Sequence, residues 1–263
     1  MTILCIETST SVCSAAICRD GVVSEQLISR EGGNHAKLLP VFIDQLLNHT
    51  NDLSRLASDI SPTIARQAAN GSTTANPAID AVALSEGPGS YTGLRIGTST
   101  AKGLCYGLNV PLVAVPTLQI LSAAALAQSA ITNHPSPLLL CPMIDARRME
   151  VYTALYGTDL ARLSEVKAVV VDGKASLLIP NDPSPITNPL YYFGDGAAKC
   201  QAVLTAPECQ YIPDIVPEAQ YMGALAEQLL ANGKGFSGND LAYYEPFYLK
   251  EFVAAQSHLK GLL

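Results

Sequence analysis

Ser85-Glu86-Gly87-Pro88-Gly89-Ser90-Tyr91-Thr92-Gly93-Leu94-Arg95-Ile96-Gly97 is the stretch whose reading decides the fold of this chain. Residues 81–84 before it form a short apolar run of strand type, and residues 92–106 after it follow a helical period. A glycine-rich turn between a strand and a helix places backbone N–H groups and the positive end of the helix dipole where an anion can sit. The stretch is not a P-loop, because no Gly-Lys-Ser/Thr follows. Nor is it a dinucleotide fingerprint, because Gly87, Gly89 and Gly93 are too widely spaced. The competing reading is a tight turn centred on Pro88 and Gly89, with Ser90 or Thr92 capping the helix.

Upstream, residues 3–7, 12–19 and 22–29 read as three consecutive strands, the last two joined by Asp20-Gly21, a strong hairpin signal. A helix from about His35 carries Leu38, Leu39, Phe42, Ile43, Leu46 and Leu47, with Pro40 in its first turn or at a kink. Residues 53–77 read as a long polar loop. Downstream come a strand at 111–115 and a helix at 118–128, and then the opening pattern recurs. Strands are expected at 138–145 and 151–156, a third ends near Val171, a fourth lies at 191–194, and a helix at 219–232 closes the set. Two related α/β lobes follow, each a mixed sheet with helices, spanning 1–132 and 133–263 and divided by the Pro-rich stretch 133–137.

Composition narrows the function classes. Hydrophobic residues make up 48% of the 263 and charged residues only 15%, as in a chain that buries a substantial core. No apolar run reaches the length of a membrane span, and the first residues do not read as a secretory signal. Seven cysteines without a C-x-x-C pair point to a reducing cytoplasm, where a thiol packs as a small hydrophobe. A net charge of −7 argues against this chain gripping nucleic acid by itself. If RNA is involved, another subunit supplies the basic surface.

His35, His49, His134 and His258 are the only histidines, and none form H-x-x-x-H or H-E-x-x-H, so neither a metal pair one helical turn apart nor a metallopeptidase site can be assembled. His35 reads as a capping or surface residue. Glu7 and Asp145 end the first strand of each lobe. Glu7, Thr8 and Ser9, together with Gly87, Gly89 and Ser90, form a candidate nucleotide or anion turn, set against the plainer reading of a capped polar strand end. Asp145 reads as an ion-pair partner of Arg147 or Arg148. No catalytic constellation and no metal site emerge. The helix faces carry a second candidate. Gly93, Gly97 and Ala101 lie on one face of the second helix with Leu94, Leu104, Cys105 and Leu108, while Arg95, Ser99, Lys102 and Tyr106 lie on the other. On the first helix Leu38, Val41, Phe42 and Leu46 belong to an apolar arc wider than one sheet can cover, so either a neighbouring helix or another subunit must meet it. Leu38, Val41, Phe42, Leu46, Gly93, Arg95, Gly97, Ala101 and Lys102 are therefore the candidate partner interface.

GPGSYTGLRIGTSTAKGL at 87–104 resembles the GPGSFTGLRIG-x-x-x-A-K-G-L signature of the TsaB (YeaZ) family. ILCIETS at 3–9 is similar to that family's I-L-x-I-[DE]-T-S opening, MIDARRMEVY at 143–152 to M-x-D-A-R-[RK]-x-E-V-Y, and PFYLK at 246–250 to P-x-Y-L-R. The long segment at 53–77 departs from the family pattern. The resemblance implies an actin-like, ribonuclease-H-type (ASKHA) fold. It also implies a non-catalytic scaffold or activator role in the bacterial synthesis of threonylcarbamoyladenosine beside certain tRNA anticodons. It implies a heterodimer with the catalytic relative TsaD, joined by the ATPase TsaE, with tRNA met indirectly and ATP only within the complex. Whether the isolated chain forms a homodimer stays open. The rival is an autonomous actin-like ATPase or phosphotransferase that would use the turns at 8–11 and 87–93.

Overall fold

Asp20 and Gly21 turn the chain with φ of 49° and 75°, the left-handed pair that a tight hairpin requires. They join β2 (Cys13–Arg19) to β3 (Val22–Ser29), and β2 pairs on its other edge with β1 (Thr2–Glu7), both antiparallel. The computed structural model describes residues 1–48, 65–68, 79–127, 131, 138–172 and 188–250. Within the stretch read as a loop, β4 (Ala65–Ala68) forms a strand pairing antiparallel with β3; the rest of 53–77 lies outside the described residues. So does the whole of the expected boundary at 133–137.

β5 (Ala81–Ser85) and β6 (Leu112–Val115) add parallel strands beside β1, so the order β6-β5-β1-β2-β3-β4 runs across the first sheet. The second sheet repeats this plan. β7 (Leu139–Asp145), β8 (Glu150–Thr153) and β9 (Lys167–Val170) form the antiparallel trio, and β10 (Leu190–Phe193) and β11 (Cys209–Ile212) the parallel pair. Their order, β11-β10-β7-β8-β9, corresponds strand for strand to β6-β5-β1-β2-β3. This is the actin-like pair of α/β lobes. β8 is shorter than the expected strand at 151–156, since Tyr156 makes only isolated bridges to Leu140 and Arg162.

On one face of the first sheet, α1 (His35–Asn48) packs on β2, β3 and α2 (Tyr91–Leu108). α1 starts at His35 as expected, and Pro40 falls in its second turn rather than its first. On the other face, α3 (Thr117–Ala127) shares Ile120 with the first sheet and Leu118, Leu121 and Ala125 with the second, so it is packed between the two.

The chain then returns. A 3-10 turn at Ala219–Tyr221 and α4 (Gly223–Ala231) replace the single helix expected at 219–232. They pack on the first sheet, where Ala219, Met222, Leu225 and Ala226 cover Ile3, Cys5, Ala16 and Cys18. β12 (Gly235–Phe236) pairs with β6 and α5 (Gly238–Tyr243) follows, so this part of the second half completes the first lobe's sheet and not a second set. The reason is that β1 and β2 carry apolar side chains on both faces and need cover on both.

Glu218 fixes the return. Its carboxylate, 4% exposed, accepts from Gln26 Nε2 (3.0 Å), Arg30 Nη2 (2.5 Å) and Gln220 Nε2 (2.6 Å), while Gln220 N donates to Gln26 Oε1 and Ala219 N to Ser14 Oγ. Arg30 is 61% exposed and regains water on release, but the fully buried Gln26 amide does not. Glu218→Ala is expected to lose about 2 kcal/mol in urea unfolding, the cost of an orphaned buried donor plus the lost charged bonds. Unchanged stability would show that the apolar contacts alone hold the segment.

Candidate functional site

β1 and β5 are parallel neighbours, so their ends bring residues 7–9 against the glycine-rich turn. Ser90 caps α2 by accepting from Gly93 N, and its own N–H donates to Ser9 O at 2.6 Å. Thr8 Oγ1 donates to Gly93 O at 2.8 Å. A Cβ would stand 2.3 Å from Ser9 O at Gly89, 2.0 Å from Thr8 O at Gly93 and 2.4 Å from Thr8 Oγ1 at Gly97. The signature's glycines therefore let the first two turns of α2 lie directly on the end of β1. Glu7, Thr8, Ser9, Gly89 and Ser90 converge as the sequence suggests. Gly87 instead lies under the carbonyl of Phe247.

Several donors of this turn are spent inside the chain. Thr8 N donates to Ser85 Oγ, Ser9 N and Oγ both donate to Glu7 Oε1 (2.6 and 2.5 Å), and Val12 N donates to Thr10 Oγ1. Burial pushes the Glu7 carboxyl up to about 7, outweighing the Ser9 and Ser85 hydrogen bonds that hold it down, and Asp195 adds to the rise.

A cleft of about 890 Å³ opens between the lobes, walled by residues 9–11 and 89–93 on one side and by Asp145, Arg147, Tyr152 and Asp195 on the other. Residues 247–250 also line it. Asp145 is paired with Lys199, and Arg147 gives it only a backbone N–H. The expected ion pair with Arg147 or Arg148 is thus replaced. Both arginines sit in left-handed backbone (φ 72° and 51°) at the hairpin tip, while Lys199, after β10, also donates to Glu150 O and so closes the hairpin base. Asp195 Oδ1 accepts from Asp145 N, and its carboxyl, though exposed to the cleft, is raised by the partial loss of water around it and by the Asp145 charge. Asp195 is the second residue after β10, and Gly194-Asp195-Gly196 after a strand was its signal in the sequence. His35 is neither a cap nor a surface residue: it is 8% exposed, and its Nε2 meets the carbonyls of Thr10 and Val12, which a protonated nitrogen satisfies by donating.

The candidate interface residues separate. Leu38, Phe42 and Leu46 are buried in the first lobe's own core, because α2 and the sheet together cover the wide arc of α1; Val41 is half-buried. Gly93, Gly97 and Ala101 are buried against the end of β1 and the sheet, so that face of α2 meets its own lobe. Lys102 is half-buried and donates to the carbonyls of Ala242 and Tyr244. Of the nine, Arg95 is exposed, and the outer face it marks continues through Ser99, Gly103 and Tyr106, the last 86% exposed. Among the described residues no three carboxylate, imidazole or thiol groups gather as a metal-ligand set, and no helix is long and apolar enough to cross a membrane.

A family model described as "TsaD: tRNA N6-adenosine threonylcarbamoyltransferase" matches residues 50–256. The Escherichia coli tRNA threonylcarbamoyladenosine biosynthesis protein TsaB is 29% identical over 260 residues, covering 97% of this chain and 96% of that protein. The Bacillus subtilis protein of the same name is 32% identical over 156 residues, 59% of this chain and 55% of the relative. The solved structure of YeaZ from Pseudomonas aeruginosa superposes with a TM-score of 0.67 at 24% identity, over 94% of this chain and 99% of that one. The fold is therefore shared with YeaZ.

Proposed function

The chain belongs to the TsaB (YeaZ) family, and from that premise we propose that it is a non-catalytic subunit in tRNA threonylcarbamoyladenosine synthesis that docks to a TsaD-type catalytic relative. The observation that carries this reading is the outer face of α2. Ser99, Gly103 and Gly107 recur every fourth residue there, and a Cβ at either glycine would meet nothing within 4 Å. Glycines at that spacing let a second helix approach closely. Tyr106 beside them, and Tyr243 on the adjoining α5, are 86% and 84% exposed, the kind of aromatic residue that anchors interfaces. The partner's surface would then supply the catalytic groups, the TsaE-type ATPase would join the pair, and tRNA would be met through the complex.

The end of β1 supports the same reading for nucleotide. With the N–H groups of Thr8 and Ser9 bound to Ser85 and Glu7, neither is left for a phosphate. ATP would act at the level of the complex. The cleft is the observation that favours the rival, an autonomous ATPase.

Tyr106→Ala and Gly103→Leu are each expected to weaken binding to the organism's TsaD-type protein about 30-fold, near 2 kcal/mol, with the subunit melting as the parent does. If both variants bind as the parent does, this face is not the interface. Tight, magnesium-dependent ATP turnover by the isolated chain would replace the scaffold reading with the ATPase.

A further inference from the structure

The stretch that leaves α5 is fastened first to the lobe it comes from. Tyr244 is buried with its ring 4.9 Å from that of Phe236, and Lys102 Nζ holds the carbonyls of Ala242 and Tyr244. Phe247 N donates to Glu86 O at 2.7 Å, and its carbonyl lies so close to Gly87 that a Cβ there would be 2.5 Å away. Tyr248 packs on Tyr91, the first residue of α2, with ring centroids 5.1 Å apart. Two residues on, Lys250 pairs with Glu150 and stands 5.7 Å over the ring of Tyr152, both on β8 of the second lobe. The segment 245–250 thus reaches from one lobe to the other, and its last four residues line the cleft between.

We propose that residues 245–250 are a strap that spans the cleft, sets its width and opens from the Lys250 end. The two fastenings differ in kind. On the first lobe the strap is held by a backbone hydrogen bond and by contact with a glycine that admits no side chain, which leaves little freedom. On the second lobe it is held by an ion pair whose members are 42% and 24% exposed and by one cation–ring contact, both of which water can replace. Release would therefore leave the strap docked at Phe247 and free the second lobe to pivot about α3, on which both sheets pack. Tyr248 ties the strap to the first turn of α2, whose Arg95 also lies over the Tyr91 ring, so a partner seated on α2 would act on the same fastening.

Hydrogen exchange on the full chain tests this. Lys250→Glu sets a like charge against Glu150, and the cleft-wall amides of residues 9–12 and 90–93 are expected to exchange about tenfold faster while those of β2 and β7 keep their parent rates. The exchanged pair Lys250→Glu with Glu150→Lys should return most of the protection. Tyr248→Ala should raise exchange at residues 90–93 without help from charge. The strap is overturned if the Lys250→Glu walls exchange as the parent's do. It is equally overturned if acceleration spreads evenly over the chain, or if the exchanged pair fails to restore protection.

Discussion

Gly93→Ala is expected to destabilise the protein by about 3 kcal/mol, the upper part of the range for overpacking, lowering the melting temperature by roughly 2–4 °C for each kcal/mol lost. The added methyl would stand 2.0 Å from the carbonyl oxygen of Thr8, a backbone atom that cannot rotate aside. Thr8 is further pinned because its hydroxyl donates to Gly93 O and it directly follows the central strand β1. Either α2 must lift or the end of β1 must bend, and both moves break the Ser90-to-Ser9 hydrogen bond. Gly103→Ala is the internal control. It makes the same chemical change ten residues later on the same helix, where nothing lies within 4 Å, and should gain up to about 1 kcal/mol from helix propensity. Gly97→Ala falls between the two, since the atoms it would meet, Thr8 Oγ1 at 2.4 Å and Leu84 Cδ1 at 2.9 Å, belong to side chains. A methyl does not fit there without a shift, so the small effect that helix propensity alone suggests is not expected. Urea unfolding of the three variants settles the order. Equal effects at Gly93 and Gly103 would mean that α2 does not rest on β1 as described.

Stability should fall as pH rises from about 5 to about 7, and Glu7 should be one of two main causes. Its carboxyl moves from 4.5 to about 7 on folding, and that of the largely buried Glu86 does the same, in each case because burial disfavours the charge. Below pH 4.5 Glu7 is protonated whether the chain is folded or not, so it costs nothing. Between the two values the unfolded chain gives up the proton and the folded chain keeps it, which favours unfolding by about 1.4 kcal/mol per pH unit. Above pH 7 the loss levels off at about 3 kcal/mol for each group. Glu7→Gln keeps an acceptor for Ser9 but cannot ionise, so it should remove roughly half of this pH dependence. Urea titrations at pH 5 and pH 8 measure it. Parallel stability curves for the parent and Glu7→Gln would show that Glu7 does not titrate in this window.

Much of the fold was legible because it is written in short-range chemistry. Asp20-Gly21 specified the hairpin through two left-handed residues, and the repeated pattern of three strands followed by helix and strand specified two lobes. The glycines at 89, 93 and 97 announced a close approach, and Ser90 announced the start of α2. What such signals lack is the identity of the neighbour. The arc of Leu38, Phe42 and Leu46 shows how much of α1 must be covered, but a helical period cannot distinguish α2 of the same lobe from a helix of another chain.

Residues 219–232 read as the closing helix of the second lobe, yet they and β12 after them return to the first sheet. A sheet with two apolar faces takes whatever apolar helix can reach it, and the buried Glu218 fixes the docking through partners almost two hundred positions away. Asp145 takes Lys199 and not its neighbouring arginines, and the strap crosses to Glu150, for the same reason. Charge and spacing along the chain set what each residue can bind. Which partner it meets is decided when burial of the two sheets brings distant segments to the same edge of the cleft. The sequence by itself therefore determined most of the elements up to residue 171 and the repeated strand pattern. Only the tertiary structure decided which faces stay open, because exposure is what remains after every long-range contact has formed.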